Sequence, residues 1–315
     1  MEKLRIVFMG TPEFAVGILD TILKNNYEVV GVITAADKPA GRGQKLKYSA
    51  VKEYALEHNL KLLQPTNLKD ESFLSELQSL NVNLQVVVAF RMLPEVVWKM
   101  PQLGTFNLHA SLLPNYRGAA PINWAIINGE AKTGVTTFFI DDKIDTGAMI
   151  LSKETPITTN ENAGELHDQL MIIGSEAVVE TLALIEKGNV VTTIQKDTTD
   201  IKTAYKLNRE NCKIDWTKSC DEIHNIIRGL SPYPAAWCFF KDGNEEWNVK
   251  IYEASVLLET HNYTVGTLIS TKKEIKIAVK DGFVSILNLQ FPGKKRLNTN
   301  EFLNGMSFSE QAIVL

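Results

Sequence analysis

Leu4-Arg5-Ile6-Val7-Phe8-Met9-Gly10-Thr11-Pro12-Glu13 decides the fold. Its apolar run stops at Gly10, short enough for one buried strand. Thr11 is a good N-cap, Pro12 suits a first helical turn and Glu13 complements the helix dipole, so a helix should follow over about Glu13–Leu23. The same alternation continues. Val29–Ile33 reads as a strand and Asp37–Gly43, with one Pro and two Gly, as an irregular loop. Tyr48–His58 reads as a helix, Lys61–Leu63 as a short strand and Asp70–Leu80 as a helix. Leu84–Ala89 is continuously apolar, as a strand covered on both faces should be. Thr105–Ala110 and Val135–Ile140 are two more strands with a helix over Ala119–Ile127 between them, and a long helix, Ala163–Glu186, closes the series. Alternating strands and helices imply an α/β domain, a mostly parallel sheet with helices on both faces, spanning residues 1–189.

A change of pattern follows. Gly188–Lys206 is polar and rich in Thr and Asp, and residues 190–206 are assigned to a linker. Residues 207–315 hold one helix, about Ser219–Gly229, then short strands at Trp237–Phe240, Val249–Leu258, Val265–Ser270, Ile275–Val279 and Phe283–Leu289. Asp242-Gly243 and Asp281-Gly282 mark turns. This is the pattern of a small OB-like β-barrel. A chain of 315 residues accommodates two such domains.

Bulk properties narrow the function classes. Apolar residues are 44% and charged residues 22%, as in soluble globular proteins. No apolar run approaches the ~18–20 residues that cross a bilayer, and the first run is too short for a signal core, so a cytoplasmic protein with no membrane contact is expected. Cys212, Cys220 and Cys238 form no CxxC pair, and His58, His167, His224 and His261 are scattered. Neither a disulfide framework nor a metal site is expected. The net charge of −4 excludes nucleic-acid binding by bulk electrostatics. A local patch remains: Lys38, Arg42, Lys45, Lys47 and Lys52, with no acidic residue among them.

The segment with the most chemistry is Thr105-Phe106-Asn107-Leu108-His109-Ala110-Ser111. In a strand, Asn107 and His109 project to one face and Leu108 to the other. An amide N–H can stabilise a developing oxyanion, and an imidazole can move a proton. Both residues fall near the C-terminal end of a parallel strand, where open α/β sheets bind ligands. Ile140-Asp141-Asp142-Lys143-Ile144-Asp145-Thr146-Gly147 offers three carboxylates, either as a solvated turn or as the partner that orients His109. The run from Ser111 to Ile122 contains Pro114, Gly118 and Pro121, which suits a tight loop near a ligand.

Asn107-x-His109, the run Ser111–Ile122 and Asp145-Thr146-Gly147 together resemble the signature of the folate-dependent formyltransferases. The likeness covers nearly the whole chain and is longest to the branch that formylates initiator methionyl-tRNA. Phe8–Ala15 resembles that branch's first strand-turn, Asp37–Leu46 its characteristic insertion, and Gln64-Pro65 another of its landmarks. Ile214-Asp215-Trp216, Ile227-Arg228-Gly229 and Gly293-Lys294-Lys295 resemble its later segments. The resemblance implies a Rossmann-like first domain and an OB-like second domain that contacts tRNA. It implies that Asn107, His109 and Asp145 are catalytic. It places Ser111, Leu112, Leu113, Pro114, Phe90, Met92, Leu93, Ile140 and Asp141 at a folate pocket, and Arg42, Lys38, Lys45 and Lys47 against tRNA. The formyl donor would be 10-formyltetrahydrofolate, no metal is required, and the enzyme is expected to act as a monomer. Two departures stand out. Ala89-Phe90-Arg91-Met92-Leu93-Pro94 is one residue shorter than usual and lacks a glycine, so this loop should take a different path. Ala235-Ala236 replaces a usual Gly-Ala, a change expected to matter little.

Three rival readings are opposed by the residues themselves. A formyltransferase acting on a sugar nucleotide or purine precursor is opposed by the basic loop and the β-rich second domain. A nicotinamide-dependent dehydrogenase is opposed because Gly10-Thr11-Pro12-Glu13-Phe14-Ala15 is not GxGxxG. A catalytically dead tRNA-binding module is opposed by the intact Asn107, His109 and Asp145.

Overall fold

A computed structural model describes residues 3–40, 45–196 and 199–315. The chain divides into two compact units. One comprises Met1–Gly118, Thr133–Thr155 and His167–Thr203; the other comprises Ala119–Lys132, Pro156–Leu166 and Ala204–Leu315. This division differs from the contiguous blocks 1–189 and 207–315, and most of the expected linker 190–206 falls inside the first unit. The cause is local pairing: Thr193 exchanges two 2.8 Å backbone hydrogen bonds with Met149.

The first unit is built on seven strands: β1 (Arg5–Gly10), β2 (Glu28–Ile33), β3 (Leu62–Leu63), β4 (Leu84–Val88), β5 (Thr105–His109), β6 (Lys132–Phe139) and β7 (Met149–Pro156). Their order across the sheet is β7-β6-β5-β4-β1-β2-β3. The pairs β3·β2, β2·β1, β1·β4 and β4·β5 are parallel, while β5·β6 is antiparallel. The mostly parallel sheet expected from the alternation is therefore present. Strand β7 was not anticipated, because Ser152, Lys153 and Glu154 interrupt any apolar pattern; it is an edge strand, where charge is tolerated.

Helix α1 (Glu13–Lys24) starts one residue later than Thr11 capping would require: Pro12 is the N-cap and makes no side-chain hydrogen bond. Helices α2 (Ala50–Glu57) and α3 (Glu71–Ser79) are capped by the Ser49 and Asp70 side chains. A one-turn helix, α4 (Glu95–Trp98), follows β4. Phe73 and Leu77 of α3 and Val97 of α4 pack with Val7, Met9, Ile33 and Val87 on one face of the sheet. Helix α5 (Pro121–Ile127) belongs to the second unit. Helix α6 (Ala163–Glu186) brings Gly174 against Leu108 and Ile18 on the opposite face, so closely that a Cβ at 174 would sit 2.9 Å from Leu108 Cδ2. Helices thus cover both faces, as expected.

The second unit contains α7 (Cys220–Leu230) and an antiparallel sheet of β8 (Ala236–Asp242), β9 (Glu245–Leu258), β10 (Leu268–Ser270), β11 (Ile275–Val279), β12 (Gly282–Gln290), β13 (Leu297–Asn298) and β14 (Ile313–Val314). The order is β10-β11-β12-β9-β8-β14, with β13 on β12. An antiparallel bridge from Thr267 to Ile313 joins the two ends, so the sheet curls into a nearly closed barrel around Phe240, Ile251, Ile277 and Ile286. Helix α7 opens with a capping box in which Glu222 bonds the Ser219 backbone and hydroxyl, and these bonds pull the Glu222 carboxyl down to about 2. Ala235, expected to be an innocuous departure, adopts φ +76°. That is left-handed backbone, where glycine carries no Cβ penalty.

Candidate active site

Strand β5 sets the geometry. Asn107 lies in register with Val87 on β4 and Phe138 on β6. Because Val87 faces the α3–α4 side, Asn107 does too, and His109 follows it by the two-residue repeat. Leu108 is buried toward α6. The strand reading of this triplet is borne out.

His109 is 7% exposed. Its Nε2 is 2.8 Å from the carbonyl oxygen of Tyr116, so this nitrogen carries a proton and donates it. Its Nδ1 is 3.8 Å from Asp145 Oδ2. That separation is longer than a hydrogen bond but short for a charge contact across a mostly buried space. Asp145 Oδ2 also accepts a 2.9 Å hydrogen bond from the Gly118 N–H. Of the three aspartates, Asp145 is the one that approaches the imidazole. Asp141 instead accepts bonds from Lys143 N and Thr146 Oγ1 and closes the loop on itself.

Both residues that meet His109 are held in left-handed backbone: Tyr116 at φ +60° and Asp145 at φ +54°. For residues other than glycine, such conformations cost about 1–3 kcal/mol each and concentrate at functional sites. The loop between β5 and Tyr116 is pinned by Thr136 Oγ1, which donates to Ser111 O at 2.7 Å and accepts from Leu113 N at 3.2 Å. Ser111 Oγ donates to Asn115 O at 2.7 Å. Gly147 ends the aspartate loop where a Cβ would fall 1.7 Å from Phe139 O, so only glycine allows this approach.

Asn107 presents the clearest opening for a ligand. Its Oδ1 is buried and has no hydrogen-bond partner among the described residues. Turning the amide by 180° would present the NH2 group at the same place. A buried polar group without a partner is costly, so a bound molecule is the natural source of the missing hydrogen bond.

The residues assigned to the folate pocket separate into groups. Phe90, Leu93 and Ile140 come together in the apolar cluster on the Asn107 face. Leu93 is buried in that cluster, whereas Met92 is 69% exposed. Ser111 and Leu113 are buried, Leu112 and Pro114 half-buried.

The basic loop lies partly outside the described residues. Arg42 lies outside the described residues, as do the side chains of Lys38 and Lys45. What was expected to be irregular throughout has a paired base: Lys38–Ala40 runs antiparallel to Lys45–Lys47. Lys47 is exposed. Lys52 is not a free cation of this patch. It is buried, bonded to Asp37 Oδ2 at 2.5 Å, and sits 3.9 Å from the Tyr48 ring centre. The Lys52 bond, with a second from Gln64 Nε2, holds the Asp37 carboxyl below its ordinary range. In the second unit, a cavity of about 310 Å³ is lined by Arg209, Lys250, Trp237, Cys212 and Asn248.

Sequence reasoning missed Gln195. It is 7% exposed and bonds four ways among the loops around Asp145. A lone glutamine in a polar tract carries no periodic signal, and only the fold reveals it.

Comparison with known proteins decides the family. A family model described as Formyl transferase matches residues 4–182. The chain belongs to the formyltransferase family. A second model, Formyl transferase, C-terminal domain, matches residues 206–307 of this formyltransferase. It is 77% identical to the methionyl-tRNA formyltransferase of Flavobacterium johnsoniae over 100% of both chains. It is 54% identical to that of Bacteroides thetaiotaomicron over 98% of each. Among solved structures it is similar to WlaRD, a sugar 3N-formyl transferase determined in the presence of dTDP and 5-N-formyl-THF. The TM-score is 0.65 at 25% identity, covering 94% of this chain and 100% of that one.

Proposed function

We propose that this formyltransferase moves the formyl group of 10-formyltetrahydrofolate onto the free amino group of initiator methionyl-tRNA. The product is formylmethionyl-tRNA, used to start translation. One observation supports the chemistry above others: Asn107, whose buried Oδ1 has no partner among the described residues, lies on the same strand face as a histidine held between a carbonyl and a carboxylate. The acceptor follows from full-length similarity to methionyl-tRNA formyltransferases, which is far higher than the 25% shared with a sugar formyl transferase.

The residues fit the co-substrate. Phe90, Leu93 and Ile140 offer an apolar wall beside Asn107, suited to a pterin ring. When bound, the folate supplies an activated formyl carbon. The attacking α-amine has a pKa of about 7.7–8.0 in its free form, so a usable neutral fraction exists near pH 7. Asn107 contributes a hydrogen bond to the charge that develops on the formyl oxygen. His109 Nε2–H donates a hydrogen bond to the Tyr116 carbonyl, which leaves Nδ1 to take the proton lost by the attacking nitrogen. Asp145, facing Nδ1, stabilises the imidazolium that results. His109 then returns the proton toward the departing folate nitrogen.

Residues 1–189 serve as the catalytic domain in this reading, and residues 207–315 help hold the tRNA. Arg42, Lys38, Lys45 and Lys47 meet phosphates, and the Arg209–Lys250 cavity offers cations on the barrel. The enzyme works as a cytoplasmic monomer. No helix among the described residues is long and apolar enough to cross a membrane. The test is direct. The protein is mixed with 10-formyltetrahydrofolate and charged initiator tRNA, with an amino-sugar nucleotide as a parallel acceptor. Formylmethionine on tRNA is expected. Formylation of the sugar amine alone would overturn the proposal.

A further inference from the structure

The stretch from Gly188 to Thr203 belongs to the first unit, and two of its described residues, Thr193 and Lys202, bond to backbone near the site. Thr193 pairs with Met149, the first residue of β7. Further along, Lys202 O accepts a 2.5 Å hydrogen bond from Tyr116 N, and Lys202 N donates to Asn115 Oδ1 at 3.1 Å. The segment is thus tied at one end beside the aspartate loop and at the other beside the loop that carries the His109 acceptor.

Gln195 lies between these ties. Its Nε2 donates to Asp145 O and to Gly147 O, both at 2.9 Å. Its Oε1 accepts from Arg117 Nε at 3.0 Å and Nη2 at 2.9 Å. Both ends of the amide are therefore used, two bonds to each loop. The chain neighbours of Arg117 are the residues that matter to the histidine and its carboxylate: Tyr116 O receives His109 Nε2–H, and Gly118 N–H binds Asp145 Oδ2. One buried amide consequently fixes the spacing between the loop that orients the imidazole and the loop that carries its carboxylate. Asp145 and Tyr116 are both in left-handed backbone, a conformation that surrounding bonds must maintain.

We infer that Gln195 is a positioning residue for formyl transfer, setting the distance between Asp145 and His109 without touching substrate. This rests on the proposed reaction. The chemistry of the bridge makes the inference specific. The NH2 end must donate to two carbonyls and the oxygen end must accept from a guanidinium, so glutamine fits and its isosteric acid does not. In Gln195→Glu the Arg117 contact would persist, now as an ion pair. The other end would set carboxylate oxygen against two carbonyl oxygens and push the aspartate loop away.

The experiment uses steady-state formylation of methionyl-tRNA by the full-length wild type, Gln195→Ala and Gln195→Glu, with folded fraction checked by circular dichroism. If the wild type does not formylate methionyl-tRNA, the proposed function fails, independently of Gln195. Given an active wild type, both variants should lose about 10–100-fold in kcat, as a misplacement of order 1 Å costs. The KM values for tRNA and for folate should each stay within about twofold. Gln195→Glu should be as impaired as Gln195→Ala despite retaining the Arg117 contact. Wild-type kcat in Gln195→Glu overturns the inference. So does a loss in both variants that scales only with unfolded protein or falls wholly on KM.

Discussion

Strand β5 and the segment around Gln195 both serve the same histidine, yet they relate to the sequence in opposite ways. On β5, alternation alone places Asn107 and His109 on one face and Leu108 on the other. The backbone ladder to β4 and β6 then holds that arrangement regardless of side-chain detail. Around Gln195 there is almost no ladder. One side chain's bonds join loops that lie 50 and 78 residues away in sequence. A repeating element advertises its faces locally, whereas an irregular segment acquires its role only from what folding brings beside it. In the proposed reaction the first kind of region supplies the reacting groups and the second their spacing.

That contrast can be broken or sharpened at several points. The largest effect is expected on the strand. Asn107→Ala should slow formyl transfer by about 10²–10³-fold, the usual loss for one oxyanion donor, with tRNA affinity retained in a filter-binding assay. A comparable loss of tRNA affinity would instead make Asn107 a binding residue.

Among the irregular parts, Gly147→Ala should act next most strongly. The added methyl would meet Phe139 O at 1.7 Å, so the aspartate loop must shift. Overpacking of this kind costs about 1–3 kcal/mol in urea unfolding, and the displaced Asp145 should lower kcat as well. An unchanged kcat would show that the loop relaxes without moving the carboxylate.

The second unit tests whether irregular backbone carries strain away from the chemistry. Ala235→Gly should raise stability by up to about 1 kcal/mol, because relief of the left-handed alanine outweighs the entropy glycine adds to the unfolded chain. Thermal denaturation that shows a lower midpoint would contradict the strain reading.

The smallest effect concerns Lys52. Its bond holds the Asp37 carboxyl below its ordinary value of 3.8. A depressed acid stabilises the fold fully above its unfolded value, and that contribution is lost as pH falls through the lower folded value. The stability difference between wild type and Lys52→Gln should therefore be present at pH 5–7 and shrink below about pH 3.8. A difference that grew on acidification would exclude the pair as its source.

Much of the architecture was readable in the sequence because it rests on repeats. Leu84–Ala89 announced a strand covered on both faces, observed over Leu84–Val88, and α6 spans the expected Ala163–Glu186. Ile275–Val279 was likewise placed without error. Strand β7 escaped because an edge needs no apolar alternation. The site was half legible. Asn107 and His109 shared a face by period. Nothing local distinguished Asp145 from Asp141 and Asp142, or marked Gln195 in its polar tract. Lys52 misled for a related reason: a run of cations looks solvated until folding places Asp37 and the Tyr48 ring beside one of them. The shift at Ala235 was invisible because φ is not written in composition.

The most direct measurement is the single-turnover rate of formyl transfer by His109→Ala on charged initiator tRNA, alongside its affinity for that tRNA. Removal of the proton carrier should slow the chemical step by about 10²–10⁴-fold while the tRNA still binds as tightly as to the wild type. A variant that turns over near the wild-type rate would contradict the assignment of His109, and with it the account of why Asp145, Tyr116 and their supporting loops are arranged around it.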